Sequence, residues 1–63
     1  MKHYYLQHHH HGDWWGLGER TKAQVQELLE MAEDIVRVSH EITFLLKDMF
    51  SEPLFRVLIV EEK

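Results

Sequence analysis

The chain lacks cysteine altogether, which excludes disulfide bridges and thiolate metal sites as sources of stability. It also lacks any apolar run near the roughly 20 residues that a membrane-spanning helix needs. The first eleven residues are aromatic and histidine-rich, so they do not have the basic and then apolar pattern of a secretory signal. These absences predict a cytoplasmic protein.

Positive charge is also scarce, with 7 basic against 11 acidic residues and a formal net charge of −4. A protein that holds nucleic acid through its phosphates needs the opposite balance, so direct nucleic-acid binding is not expected. Hydrophobic residues make up 44% of the chain and charged residues 29%, which is typical of a folded domain and not of a disordered chain.

With 63 residues the chain has room for one domain, 1–63, and a domain of this size buries only about 60% of its unfolded surface. Burial and conformational entropy nearly cancel at such a length unless a disulfide, a metal or a partner adds stability. We therefore expect a homo-oligomer, most simply a two-fold dimer. The alternative is a compact monomer with a bent helix.

The first part of the chain predicts a strand and a loop. Residues 1–11 contain Tyr4, Tyr5 and Leu6 without a breaker, which is typical of a strand. Residues 12–18 hold three glycines beside two tryptophans, and this composition predicts a loop.

A heptad pattern then predicts one long amphipathic helix over residues 20–50. Thr21 and Gln24 have the spacing of a capping box, and Pro53 would end the helix. The apolar positions of this helix that we expect to form the oligomer interface are Val25, Leu28, Leu29, Ala32, Ile35, Val36, Ile42, Leu46 and Met49.

One residue contradicts the helical pattern, since Phe44 falls on its polar side. Residues 36–46 also alternate between apolar and polar, as a strand would. The alternative is therefore a helix to Asp34 followed by a β-hairpin, giving a β-α-β-β order with residues 36–46 as strand.

The last segment, residues 54–61, is apolar on both faces except for Arg56 and predicts a strand covered on both sides. The resulting expectation is an α+β fold with a strand, one long helix and a strand in β-α-β order, completed by oligomerisation.

The histidine run suggests a metal site. In a strand, His8 and His10 share one face and His9 and His11 the other, so that each pair could bind zinc, nickel or copper, with Asp13 as an oxygen ligand. A purification tag and incidental surface histidines are the alternatives. No spacing typical of a hydrolytic zinc centre is present.

Other residues suggest a protein partner. Aromatic residues beside glycines are typical of interface hot spots, although packing in the core of a small domain is the simpler explanation. An acidic helix face could attract a basic partner, although a solvated face is the simpler explanation. The candidate partner-binding residues are Trp14, Trp15, Tyr5, Glu27, Glu30 and Asp34.

The segment 51–54, Ser-Glu-Pro-Leu, followed by the apolar residues 57–60, resembles the β-α-β half of the small tautomerases. That resemblance implies a small oligomeric enzyme whose N-terminal proline is the catalytic base. This chain begins with Met1 and Lys2, so the base is missing.

No catalytic residue or organic cofactor is predicted from these patterns. The leading hypothesis is a small oligomerising interaction protein of viral or accessory-gene type that binds and inhibits a macromolecule. The alternatives are a histidine-rich transition-metal-binding protein and a tautomerase-like enzyme.

Overall fold

Strands dominate the fold. The structure is a computed structural model, and it describes residues 1–46 and 54–62. Within these residues the elements are β1 (Lys2–His10), β2 (Asp13–Arg20), α1 (Lys22–Glu30), β3 (Ala32–Val38), β4 (Glu41–Leu46) and β5 (Leu54–Glu61).

The five strands form one antiparallel sheet in the order β2-β1-β5-β4-β3. β5 is the central strand, and it pairs with β1 on one side and with β4 on the other. Strands β2 and β3 are the two edges, and α1 joins them along the chain. The helix therefore connects opposite edges of the sheet and packs against one face of it.

Strands β1 and β2 form a hairpin through a two-residue turn. His11 has a φ of 50° and Gly12 a φ of 82°, which are the left-handed conformations that a tight turn between twisted strands requires. The expected loop over 12–18 is wrong, because most of that segment is the edge strand β2. Gly18, with a φ of 94°, is accommodated there at an irregularity in the pairing with β1.

Helix α1 begins as the sequence predicts. The Thr21 side chain accepts a hydrogen bond from the Gln24 amide, and the Gln24 side chain accepts one from the Thr21 amide, so the capping box is confirmed. The helix is only nine residues long and ends at Glu30, with Met31 as its C-cap.

The core lies between this helix and one face of the sheet. Val25 faces the sheet from the helix, and Phe44 in β4 and Val57 in β5 are fully buried. Phe44 stacks on Phe55, with ring centroids 5.8 Å apart. The buried set is Leu6, Val25, Ile42, Phe44, Phe55 and Val57.

The expected helix over residues 20–50 is wrong, and so are the α+β class, the amphipathic helix and the β-α-β order that followed from it. Within residues 1–46 and 54–62 the protein is instead a five-stranded antiparallel sheet with one short helix. The physical reason is the β-branched content of residues 35–43, which favours extended backbone, together with the antiparallel pairing of β4 with the apolar β5.

The alternative also differs from the structure. Residues 36–46 are not one strand but parts of β3 and β4, joined by a turn at Ser39 and His40. A β-α-β unit of the tautomerase kind is absent from the described residues, since β1 and β5 are antiparallel neighbours. The predicted turn at Pro53 lies outside the described residues.

Candidate interaction surface

One face of the sheet has no covering layer within the described residues. Because side chains alternate between the faces of a strand, the residues between the core positions point away from α1. We call this the open face. Its residues are His3, Tyr5, Gln7, His9, Trp14, Glu19, Glu33, Val36, Val38, Glu41, Thr43, Leu45, Leu54, Arg56, Leu58 and Val60.

The half of the open face formed by β3, β4 and β5 is largely apolar. Val36 is 60% exposed, Val38 53% and Val60 48%, so these side chains meet solvent in the isolated chain. Leu45 and Leu58 between them are half-buried. A cluster of aliphatic side chains on a solvent-facing sheet is typical of a contact surface.

Arg56 lies near the middle of the open face and is held from several sides. Its guanidinium carbon is 4.1 Å from the centroid of the Trp14 ring, which is a cation–π contact. Its Nε donates a hydrogen bond of 2.6 Å to Gln7, and Nη1 lies 3.7 Å from the Glu41 carboxylate. The side chain therefore has a defined position before any partner binds.

His3 connects β1 with two acidic residues. Its Nδ1 lies 2.9 Å from Glu19 on β2, and its Nε2 lies 2.8 Å from Glu62 just beyond β5. A neutral imidazole can donate only one of these hydrogen bonds, so the arrangement favours the imidazolium form. The hydrogen bonds to Glu19 and then to Glu62 raise the pKa of the His3 imidazole above its ordinary value.

The expected partner-binding residues lie on different surfaces. Tyr5 and Trp14 belong to the open face, whereas Trp15, opposite His8, points to the helix side and donates a hydrogen bond to the His10 carbonyl. Glu27 and Glu30 are exposed on α1, and Asp34 adopts a left-handed backbone at the irregularity in β3. Their role in binding stays a prediction.

The residues of the expected oligomer interface are also dispersed. Val25 and Ile42 are buried inside the chain, while Ile35 and Val36 are exposed on the edge strand β3. Leu28, Leu29, Ala32 and Leu46 pack against the core. Met49 lies outside the described residues. Because α1 ends at Glu30, these residues do not form one helical stripe.

The histidine run has a defined geometry on β1 and its turn. The rings of His8 and His10 stack with centroids 5.6 Å apart, and those of His10 and His11 lie 3.9 Å apart. His9 is separated from them, since it meets the edge of Trp14 on the open face. No group of three or more metal-ligating side chains occurs within residues 1–46 and 54–62.

The sequence analysis did not predict the role of Arg56 and its contacts on the open face. Arg56 interrupts an apolar run as its single charged residue, which was the available signal for a special position. Its contacts with Gln7 and Trp14 join strands that are distant in the sequence, so no local pattern could have shown them.

The fold and the open face define a small antiparallel β-sheet protein in which α1 covers one face of the sheet. No helix in the described part of the chain is long and apolar enough to cross a membrane. Comparison of the chain with protein-family models, with curated proteins and with solved structures finds no match.

Proposed function

We propose that this protein is an interaction module that self-associates through the open face of its sheet. The observation that carries the proposal is that β5, the central strand, has apolar side chains on both faces while α1 covers only one of them. A strand of this kind needs a second layer, and a second copy of the chain is the occupant that we propose.

The composition of the open face also supports a protein contact. Interface hot spots are enriched in tryptophan, tyrosine and arginine, and Trp14, Tyr5 and Arg56 all lie on this face. The aliphatic residues of β3 to β5 would supply the apolar part of the contact. Two such faces can pack about 10 Å apart as a β-sandwich.

In a dimer of this kind the helices point outward. Their exposed residues include Glu27 and Glu30, and Trp15 lies on the same side of the sheet. The Glu27 and Glu30 carboxylates, together with Trp15, support the wider proposal that the dimer binds and modulates, by inhibition, a basic macromolecular partner. A cytoplasmic location belongs to the same proposal.

Self-association is tested by measuring molar mass with light scattering at micromolar concentrations. We expect a dimer for the parent chain and a monomer for the double variant Val38→Lys/Val60→Lys, since two buried charges would oppose the contact. A folded sheet in the variant, checked by circular dichroism, is required for this comparison.

The matched control is Met31→Lys, because Met31 is 54% exposed but lies at the end of α1. This control should remain a dimer. A monomeric parent chain, or equal loss of association in Met31→Lys, would overturn the proposal.

Transition-metal binding is a second candidate, favoured by the geometry of His8 and His10. The ring centroids of His8 and His10 are 5.6 Å apart, so one ion is within reach of both, although the stacked rings must rotate for a nitrogen of each to bind it. Stoichiometric Zn²⁺ or Ni²⁺ should then raise the melting temperature, and His8→Ala/His10→Ala should remove the rise. His40→Ala is the control, and an unchanged melting temperature in the parent chain would reject this candidate.

A further inference from the structure

Helix α1 is too narrow to cover the sheet beneath it. Five strands span about 19 Å between the edge strands. An α-helix with its side chains is about 10–12 Å across. Grooves therefore remain on both flanks of α1, one beside β2 and one beside β3.

The groove on the β3 side, which we call the helix groove, has an apolar floor. It contains a cavity of about 190 Å³ between α1 and the sheet. Val25 and Ile42 are buried at its base, and Leu29 and Ile59 are half-buried around them. An adjoining hollow of about 420 Å³ continues between α1 and Arg37. The floor suits a hydrocarbon chain or a ring.

The rim of the helix groove is positively charged. Lys22 in the first turn of α1 and Arg37 on β3 both line the cavity and are exposed. The half-buried Tyr4 also lines it, and its hydroxyl can donate a hydrogen bond.

This local charge is opposite to that of the whole chain, which carries −4. None of the ion pairs within residues 1–46 and 54–62 involves Lys22 or Arg37. Glu30 borders the adjoining hollow with Arg37 but forms no ion pair with it. Within the described residues neither cation is therefore paired with a carboxylate, and the first turn of a helix favours negative charge as well.

We propose that the helix groove binds a small organic anion with an apolar body, such as a medium-chain carboxylate. The apolar body lies over Val25, Ile42 and Ile59, and the carboxylate meets Lys22 and Arg37 at the rim. This site is on the opposite side of the sheet from the open face, so the inference does not depend on self-association.

A series of three probes with the same apolar chain tests the inference. Octanoate, octanol and octylamine are titrated against the intact chain while the methyl resonances of Ile42 and Ile59 are followed by NMR. We expect saturable shifts with octanoate in the millimolar range, as a ligand of about ten heavy atoms allows. Octanol should bind at least fivefold more weakly, and octylamine should not saturate. Equal binding of octanol and octanoate, or no saturable shift with octanoate, would overturn the inference.

Charge variants test the rim directly. Lys22→Gln and Arg37→Gln should each raise the Kd for octanoate about twofold to fivefold, the range expected for an exposed ion pair. Arg20→Gln is the matched control, because Arg20 borders the groove on the other flank of α1. Equal weakening by Arg20→Gln would overturn the inference as well. Val38→Lys/Val60→Lys should bind octanoate like the parent chain, which separates this test from that of the dimer.

Discussion

Protonation of His3 is coupled to the fold, because both of its ring nitrogens meet carboxylates. Glu19 belongs to the edge strand β2 and Glu62 follows the central strand β5, so the imidazolium bridges both neighbours of β1. The Met1 ammonium and the Glu62 amide add backbone hydrogen bonds of 2.8 and 2.7 Å at the same end of the sheet.

The stabilising effect of His3 should decrease as the pH rises. Its pKa is raised in the folded chain, so the contribution is complete below the unfolded pKa of about 6.5 and disappears above the raised folded pKa. We expect the difference in urea midpoint between the parent chain and His3→Gln to be largest near pH 6 and to vanish towards pH 9. His11→Gln is the control, and a difference that grows with pH would contradict the prediction.

The burial of Phe44 differs between the observed strand and the helix expected from the heptad pattern. A helix over residues 20–50 would leave it on the polar side, whereas the structure buries it completely against Phe55. The loss of stability on removing the Phe44 side chain therefore distinguishes the two arrangements.

Phe44→Ala should lower the free energy of unfolding by about 3–5 kcal/mol, as a large cavity in a core does. A chain of this length has a total stability of only about 3–9 kcal/mol, so the variant should be largely unfolded by circular dichroism. Met31→Ala, at an exposed site, should change stability by no more than about 0.5 kcal/mol. A Phe44→Ala chain as stable as Met31→Ala would contradict the buried position.

At the scale of elements, α1 depends on its N-terminal cap more than a long helix would. Nine residues give few internal hydrogen bonds, and only Val25 among them is buried. The reciprocal bonds between Thr21 and Gln24 satisfy backbone donors that would otherwise have no partner in the helix.

Thr21→Ala should therefore destabilise the chain by about 1 kcal/mol, measured by urea unfolding. Thr21→Ser keeps the side-chain oxygen and should retain most of the stability. An equal loss in both variants would show that the methyl group of threonine, and not the cap, is responsible.

The strands show which elements local patterns can predict. The first and last strands, Lys2–His10 and Leu54–Glu61, lie close to the expected 1–11 and 54–61, since both segments are strand-forming runs without breakers. Strand β2 was missed because glycines are weak strand formers, and an edge position tolerates them. The heptad pattern predicts a helix where the β3–β4 hairpin lies, because Ile42 and Leu46 are apolar positions of both a seven-residue and a two-residue repeat.

For the whole molecule, the proposed dimer makes stability depend on concentration. Association that occurs only in the folded state stabilises it by mass action. The melting temperature should therefore rise between about 1 and 100 μM for the parent chain and stay constant for Val38→Lys/Val60→Lys. A melting temperature independent of concentration in the parent chain would count against self-association.

Features with short-range causes can be predicted from the sequence alone, namely the capping box at Thr21 and Gln24 and the apolar run that becomes β5. The apolar run also indicates that this strand needs a layer on each face. The extent of α1, the sheet order and the open face around Arg56 depend instead on contacts between distant segments of the chain. The physical reason is that the period of residues 36–46 fits a helix and a strand alike. Pairing with β5, which follows later in the chain, selects the strand.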